Sequence, residues 1–170
     1  KVEKSRAIEV FLSWKIIRYI QYKRNILQLY NLLFYFTMSI FSRIIAGEIP
    51  CNKIYEDDLC IVILDVNPVS KGHSLVIPKQ EIIRLQDLPT ELLNHCLSVC
   101  QKIMKSMITN IPCSFVQLRV MGEEVPHCHI HLIPMTLSPW KDQSKRPKVE
   151  YGDGEMMDIL QRIQQWIHHD

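Results

Sequence analysis

Apolar positions between Thr90 and Ile108 recur every three or four residues: Leu92, Leu93, Cys96, Val99, Cys100, Ile103, Met104 and Met107. That period predicts an amphipathic helix, with Thr90 placed as its N-cap. A shorter helix is predicted from Glu155 to His168, where Met156, Ile159, Leu160, Ile163 and Ile167 share a face. Elsewhere the period changes. Leu59 to Val66 is a continuous apolar run, rich in β-branched residues and of strand length, which reads as a buried strand. Asn67-Pro68 opens a loop reaching Lys71-Gly72, after which His73 to Ile77 reads as a second strand ended by Pro78. A hairpin is the simplest connection between them. Ser114 to Val120 alternates, placing Val116, Leu118 and Val120 on one face, and Gly122 leads into a strand carrying His127, His129 and His131. Gly47-Glu48-Ile49-Pro50 reads as a turn, and a polar loop follows Pro139 as far as Gly154. Hairpin, helix, then two further strands argue for an α+β fold with an antiparallel sheet, because strands and helices do not alternate.

Residues 1–37 depart from this pattern. They hold eight of the fourteen aromatic residues and neither Gly nor Pro, a composition open to helix. Their longest apolar stretch, Ile26 to Phe36, is broken by Gln28 and Asn31 and falls short of the roughly 20 residues of a membrane span. Three readings fit the segment: an amphipathic membrane-surface helix, a basic targeting peptide, or upstream sequence read into the chain ahead of a start at Met38. The last is favoured, because Met38-Ser39-Ile40-Phe41 opens the patterned region directly. The expected division is therefore an extension over 1–37 and one domain over 38–170.

Composition narrows the function classes. A 170-residue chain that is 47% hydrophobic supports one well-buried core and is too short for two ordinary domains. The net charge of +2 is uneven: residues 1–37 carry seven Lys/Arg against two Asp/Glu, leaving thirteen against sixteen, or −3, for the remainder. No basic stripe lies outside the N-terminal segment, so nucleic acid is not an expected partner and any phosphate chemistry must be local to a site. Six cysteines with no CxxC pair, mostly inside apolar runs, point to packed thiols in a reducing, cytoplasmic compartment.

The chemistry concentrates in His127-Cys128-His129-Ile130-His131. On an extended chain the three imidazoles project together, roughly 7 Å apart, while Cys128, Ile130 and Leu132 point the other way. Three functions compete for such a row. A half-solvated edge strand would make it an ordinary polar face. Zinc would need converging ligands, whereas alternate positions on a strand spread them along a line. Nucleotide chemistry uses all three, since neutral imidazole serves as nucleophile and proton carrier near neutral pH.

Gly122-Glu-Glu-Val-Pro-His-Cys-His-Ile-His-Leu-Ile-Pro134 resembles the motif of the histidine-triad (HIT) family of nucleotide hydrolases and transferases. Phe41 to Pro50, Tyr55 to Asp58, Leu64 to Pro68 and Gly72 to Lys79 resemble the family's other segments, in order and at its spacings, so the likeness runs from Met38 to about Met135. The resemblance implies an antiparallel sheet of about five strands with one long and one C-terminal helix, and no cofactor. It implies His129 as the nucleophile that forms a nucleotidyl-histidine at the α-phosphorus. His131 would contact the phosphate and assist the leaving group, with His127 and His73 holding the nucleophile's orientation. Asp65 corresponds to the carboxylate that binds the ribose, with a turn cap as its plainer role. Phe41, Ile44, Ile49 and Val66 correspond to the apolar clamp on a purine base, with ordinary core as theirs. Gly122, Glu123 and Glu124 stand at the phosphate end.

Two departures bear on the expected chemistry. Many members bind structural zinc through two Cys and a His at positions that read Ser39, Ser42 and Glu81 here, so no metal is expected. Glu123 replaces the usual Gln, and beside a polyphosphate it would repel by about 1 kcal/mol at 4 Å even in water. The implied activity is hydrolysis of a purine nucleoside phosphoramidate or similar AMP conjugate. A dinucleoside polyphosphate hydrolase and a non-catalytic nucleotide-binding adaptor are the alternatives. A homodimer formed through the sheet and the long helix is also implied, leaving Leu93, Cys100 and Met104 to serve core or interface.

Overall fold

In a computed structural model of the chain, residues 15, 18–24, 38–120, 125–136 and 149–167 are described, the side chains of 166 and 167 excepted. The chain divides into two units, Lys1–Met38 and Ser39–Asp170. In the first, residues 18–24 are helical and Tyr19, Ile20 and Tyr22 are exposed. No helix among the described residues is long and apolar enough to cross a membrane.

The second unit carries the sheet. A short helix α1 (Ile40–Ile45) precedes strands β1 (Lys53–Glu56), β2 (Cys60–Leu64) and β3 (Ser74–Pro78). The long helix α2 (Thr90–Asn110) leads to β4 (Phe115–Val120), β5 (Ile130–Met135) and the closing helix α3 (Glu155–Ile167). The strands pair antiparallel in the order β1-β2-β3-β5-β4, so the architecture is α+β as the pattern predicts, with the five strands that the resemblance implies; β1 is the one the pattern did not reveal. The β2–β3 hairpin forms with Ile61 opposite Ile77 and Ile63 opposite Leu75.

Alternation along these strands builds two layers. Cys60, Val62, Leu64, Val76, Ile130 and Leu132 face α2 and α3, joining Cys96, Ile103, Met107 and Ile163 in the main core. Closing such a side chain off from water stabilises the fold by about 1.5–3 kcal/mol. The other face sets Ile61, Ile63, Leu75 and Ile77 against Phe41 of α1, and His131 stands on that face opposite Leu75. Helix α1 therefore roofs the face that carries the histidines.

Two local expectations need correction. Helix α2 begins at Thr90 itself, and its N-cap is Pro89, which offers no capping side chain. The fixed φ of proline sets the entry, and the Pro89 carbonyl takes the Leu93 N–H at 2.9 Å. The face shared by Val116, Leu118 and Val120 is graded: Val116 packs against the main core, whereas β4 is an edge strand and Leu118 and Val120 are 41% and 42% exposed. The histidine run is not one strand. Of its three imidazoles only His131 lies in β5, because the Cys128 N–H bonds Ile82 O and the Pro78 carbonyl takes the His127 ring, ending the ladder at Ile130. An edge position for the run is likewise excluded, since β5 is flanked by β3 and β4. Pro134 is tolerated inside the sheet because β3 pairing stops at Leu132, leaving only β4 beside the proline.

Candidate active site

The loop between β2 and β3 delivers His73. Gly72 adopts φ +86°, and a Cβ there would stand 2.7 Å from Ile111 Cδ1, so only glycine fits without displacement. Its N–H donates to the Tyr151 hydroxyl at 2.9 Å, which fixes the turn just before the histidine.

His73 and His131 form a buried pair. The Val69 N–H donates to His73 Nδ1 at 3.2 Å, which assigns the ring proton to Nε2; that proton is donated to His131 Nδ1 at 3.0 Å. His131 Nε2 therefore carries hydrogen, and among the described residues it is one of two buried side-chain polar atoms without a partner. Burial pushes the His131 imidazole down to about 4, reinforced by His129 and His73 and opposed by Asp65. Burial also lowers His73, again against the pull of Asp65. Asp65 Oδ1 accepts the Asn67 N–H at 2.8 Å, while Oδ2 stands 3.3 Å from His73 Nδ1. The carboxylate thus caps the turn and faces the histidine pair at once.

His129 is set from a different side. Its Nδ1 lies 2.6 Å from the His127 carbonyl, which can only accept, so Nδ1 bears the proton and Nε2 keeps its lone pair. The ring sits between Phe41, at 4.9 Å between centroids, and His131, at 4.8 Å. The His129–His131 separation is shorter than the strand-pleat spacing expected from sequence, because His129 precedes β5 and is not held to its pleat. All three imidazoles are at least nine-tenths buried, which removes the half-solvated polar face as an account of them.

His127 is fully buried and tied at both ring nitrogens. Its Nε2–H donates to the Pro78 carbonyl at 2.8 Å, leaving Nδ1 to accept from Ser39 Oγ at 2.9 Å, with Ser42 Oγ at 3.2 Å. Ser42 donates in turn to Glu81 Oε2 at 2.6 Å, and Ser39 caps α1 by accepting the Ser42 N–H at 3.0 Å. Burial lowers the His127 pKa, so this imidazole is neutral as well. His73 contacts His131 rather than the expected nucleophile, and the group that orients His129 is the His127 backbone carbonyl.

A protein-family model described as the HIT domain matches residues 46–136. That span includes His73, Asp65 and all three clustered histidines. The chain belongs to the HIT domain family.

Among HIT relatives, adenylylsulfatase HINT3 of Arabidopsis thaliana is 39% identical over 100 residues, covering 56% of this chain and 51% of its own length. The chain thus spans about half of that protein. Adenosine 5′-monophosphoramidase hnt1 of Schizosaccharomyces pombe is 34% identical over 116 residues, covering 68% of this chain and 79% of its own. The crystal structure of a Hit-like protein involved in cell-cycle regulation from Bartonella henselae superposes with a TM-score of 0.66 at 29% identity, covering 75% of this chain and 94% of that one.

Within the HIT frame, the other sequence-derived positions separate. Phe41 is buried and Ile44 half-buried, both in the layer roofing the histidines, whereas Ile49 is half-buried and Val66 is 74% exposed. Val66 is therefore no core residue. Gly122, Glu123 and Glu124 lie outside the described residues. The positions where many HIT proteins hold zinc do meet in space around His127, but two hydroxyls and a carboxylate are a poor set for that ion, and their hydrogen bonds already satisfy one another. The bonds to Ser39 and Ser42 join residues 88 and 85 apart in sequence, and composition or periodicity carries no signal for them.

Proposed function

We propose that the chain is a nucleotide hydrolase that cleaves at the α-phosphorus of purine nucleoside phosphoramidates or similar AMP conjugates through a nucleotidyl-His129 intermediate. The observation that carries this reading is the 2.6 Å contact between His129 Nδ1 and the His127 carbonyl, which leaves Nε2 as the free nucleophile. The names borne by the plant and yeast relatives agree with that class of substrate.

The steps follow from the hydrogen-bond pattern. A phosphate anion accepting from the unpartnered His131 Nε2–H supplies the counter-charge that burial otherwise denies, so the His73–His131 pair takes up one proton on substrate binding, with Asp65 Oδ2 facing His73 Nδ1. His129 Nε2 then attacks phosphorus, the bond from phosphorus to the leaving group breaks, and the leaving group departs with the pair's proton. The pair, neutral again, accepts a proton from the water that attacks the nucleotidyl-histidine. AMP leaves and His129 returns to its starting tautomer. Asp65 binds the ribose hydroxyls, while Phe41, Ile44, Ile49 and Val66 clamp the base. The 74% exposure of Val66 suits a clamp that closes on its ligand.

The proposed molecule is a cytoplasmic homodimer. Six free thiols, four of them buried, suit a reducing compartment. The edge strand β4 and the outer face of α2 present an apolar groove of about 710 Å3 lined by Leu97, Met104, Ile108, Val116 and Leu118, which a second copy would cover. The enzymatic reading is tested by AMP release from adenosine 5′-phosphoramidate, compared with diadenosine polyphosphate at equal concentration. Faster release from the phosphoramidate is expected. Release from neither substrate by the folded protein overturns the proposal.

A further inference from the structure

Away from the histidine face, the described residues bring together one more set of metal-ligating side chains of mixed chemistry. Asp57 lies in the turn after β1, Cys60 opens β2, and His95 sits in the second turn of α2. His95 Nε2 is 2.7 Å from Asp57 Oδ2, and Cys60 Sγ is 4.0 Å from the same oxygen. All three donor atoms lie within 4.8 Å of one another.

The two oxygens of Asp57 divide their work. Oδ1 accepts the N–H groups of Leu59 and Cys60, both at 2.8 Å, which fixes the β1–β2 turn. Oδ2 faces His95, Cys60 and the Tyr55 hydroxyl, the last at 2.8 Å, and can change partners without opening the turn. Cys96, next to His95, places its thiol beside that of Cys60. Both thiols are closed to solvent, whereas the side chains of Asp57 and His95 are 22% and 33% exposed. The cluster thus has a sulfur floor and a polar mouth through which an ion can enter.

We propose that Asp57, Cys60 and His95 form a binding site for a zinc-class divalent cation, with a solvent ligand entering at the polar mouth as the fourth donor. Thiolate, imidazole and carboxylate together match zinc, whereas magnesium and calcium call for oxygen throughout. Tetrahedral zinc at ordinary bond lengths separates its donors by roughly 3.3–3.8 Å. The Cys60 contact is already near that range, and the Asp57–His95 pair opens into it by less than about 1 Å through rotation of the half-exposed imidazole. On binding, a metal–sulfur bond forms and the Cys60 thiol proton passes to buffer; His95 gives up its hydrogen bond to Asp57, its neutral ring exchanges the Nε2 proton for one on Nδ1 through solvent, and Nε2 coordinates through the freed lone pair. The ion would staple the β1–β2 turn to α2 across 38 positions of chain.

The test is equilibrium dialysis of the full chain, reduced and stripped of metal, against zinc, with cobalt as the spectroscopic stand-in. The proposal expects one zinc per chain, a thiolate-to-cobalt charge-transfer band, and a melting temperature raised by zinc. His95→Gln, on a half-exposed helix position, should keep the fold and weaken binding at least about tenfold, and Cys60→Ala should lose the charge-transfer band. His73→Gln, in the separate Asp65–His73–His131 cluster, should leave zinc binding intact. No stoichiometric binding by the parent, or binding that survives His95→Gln and disappears in His73→Gln, overturns it. Should Cys60→Ala fail to fold, the zinc dependence of melting in His95→Gln decides the matter: a melting temperature still raised by zinc as in the parent overturns the proposal.

Discussion

Burial holds the His131 imidazole down to about 4, while the unfolded chain protonates it near the ordinary 6.5. Acid therefore favours the unfolded state: the His131 contribution is intact above pH 6.5 and is lost progressively between 6.5 and 4. By pH 5 the loss is about 2 kcal/mol from this residue alone. Thermal melting at pH 7.5 and pH 5 should show the parent losing more stability than His131→Asn over the same interval, and equal losses would contradict the assignment. At this scale the sequence exposed the residue types and left their bonds hidden. The histidines, Asp65 and Phe41 stood out through spacing and resemblance, whereas Ser39, Ser42 and Glu81 were visible only as positions lacking zinc ligands. That the two serines clasp His127, with Glu81 held behind Ser42, depends on α1 folding over the sheet, a contact made across more than eighty residues. The cluster of Asp57, Cys60 and His95 escaped for the same reason: its members lie on a turn, a strand and a helix that no linear motif joins.

Elements were most readable where one period ran long. Helix α2 and the β2–β3 hairpin follow from the 3.6-residue and continuous apolar patterns, and the errors fell at ends decided by hydrogen bonds. The capture of the Pro78 carbonyl by the His127 ring, which shortens β5, has no counterpart in the hydrophobic pattern. The loop ahead of β3 offers a direct test of how elements place the site. Gly47 and Gly72 both hold positive φ, +78° and +86°, but a Cβ at Gly47 meets nothing within 4 Å whereas at Gly72 it strikes Ile111. Backbone strain of about 1–3 kcal/mol applies to an alanine at either site. Gly72→Ala should therefore destabilise more than Gly47→Ala in urea denaturation. It should also lower kcat by displacing His73, while Gly47→Ala leaves kcat near the parent value. Equal stability losses would show that the contact with Ile111 is relieved without cost.

For the whole molecule, the sheet ends on one side at β4, whose outer residues stand open. Leu118 and Val120 share one face of β4 and are 41% and 42% exposed, and Leu118 lines one groove with Leu97 and Ile108 of α2, which are 41% and 46% exposed. A contiguous apolar edge of this kind is a liability unless covered, and a second copy joined edge to edge would cover it. Light scattering should give twice the chain mass for the parent and the single mass for Leu118→Lys, which puts a charge at the centre of the patch. A monomeric parent would leave the groove to some other partner. The histidine face lies on the opposite side of the sheet from the main core, and its chemistry rests on one atom, His129 Nε2. Mass spectrometry of protein quenched during turnover of adenosine 5′-phosphoramidate tests that claim most directly. An AMP adduct mapped to His129, absent in His129→Ala, is the predicted result; turnover with no adduct, or with the adduct on His127 or His131, would contradict it.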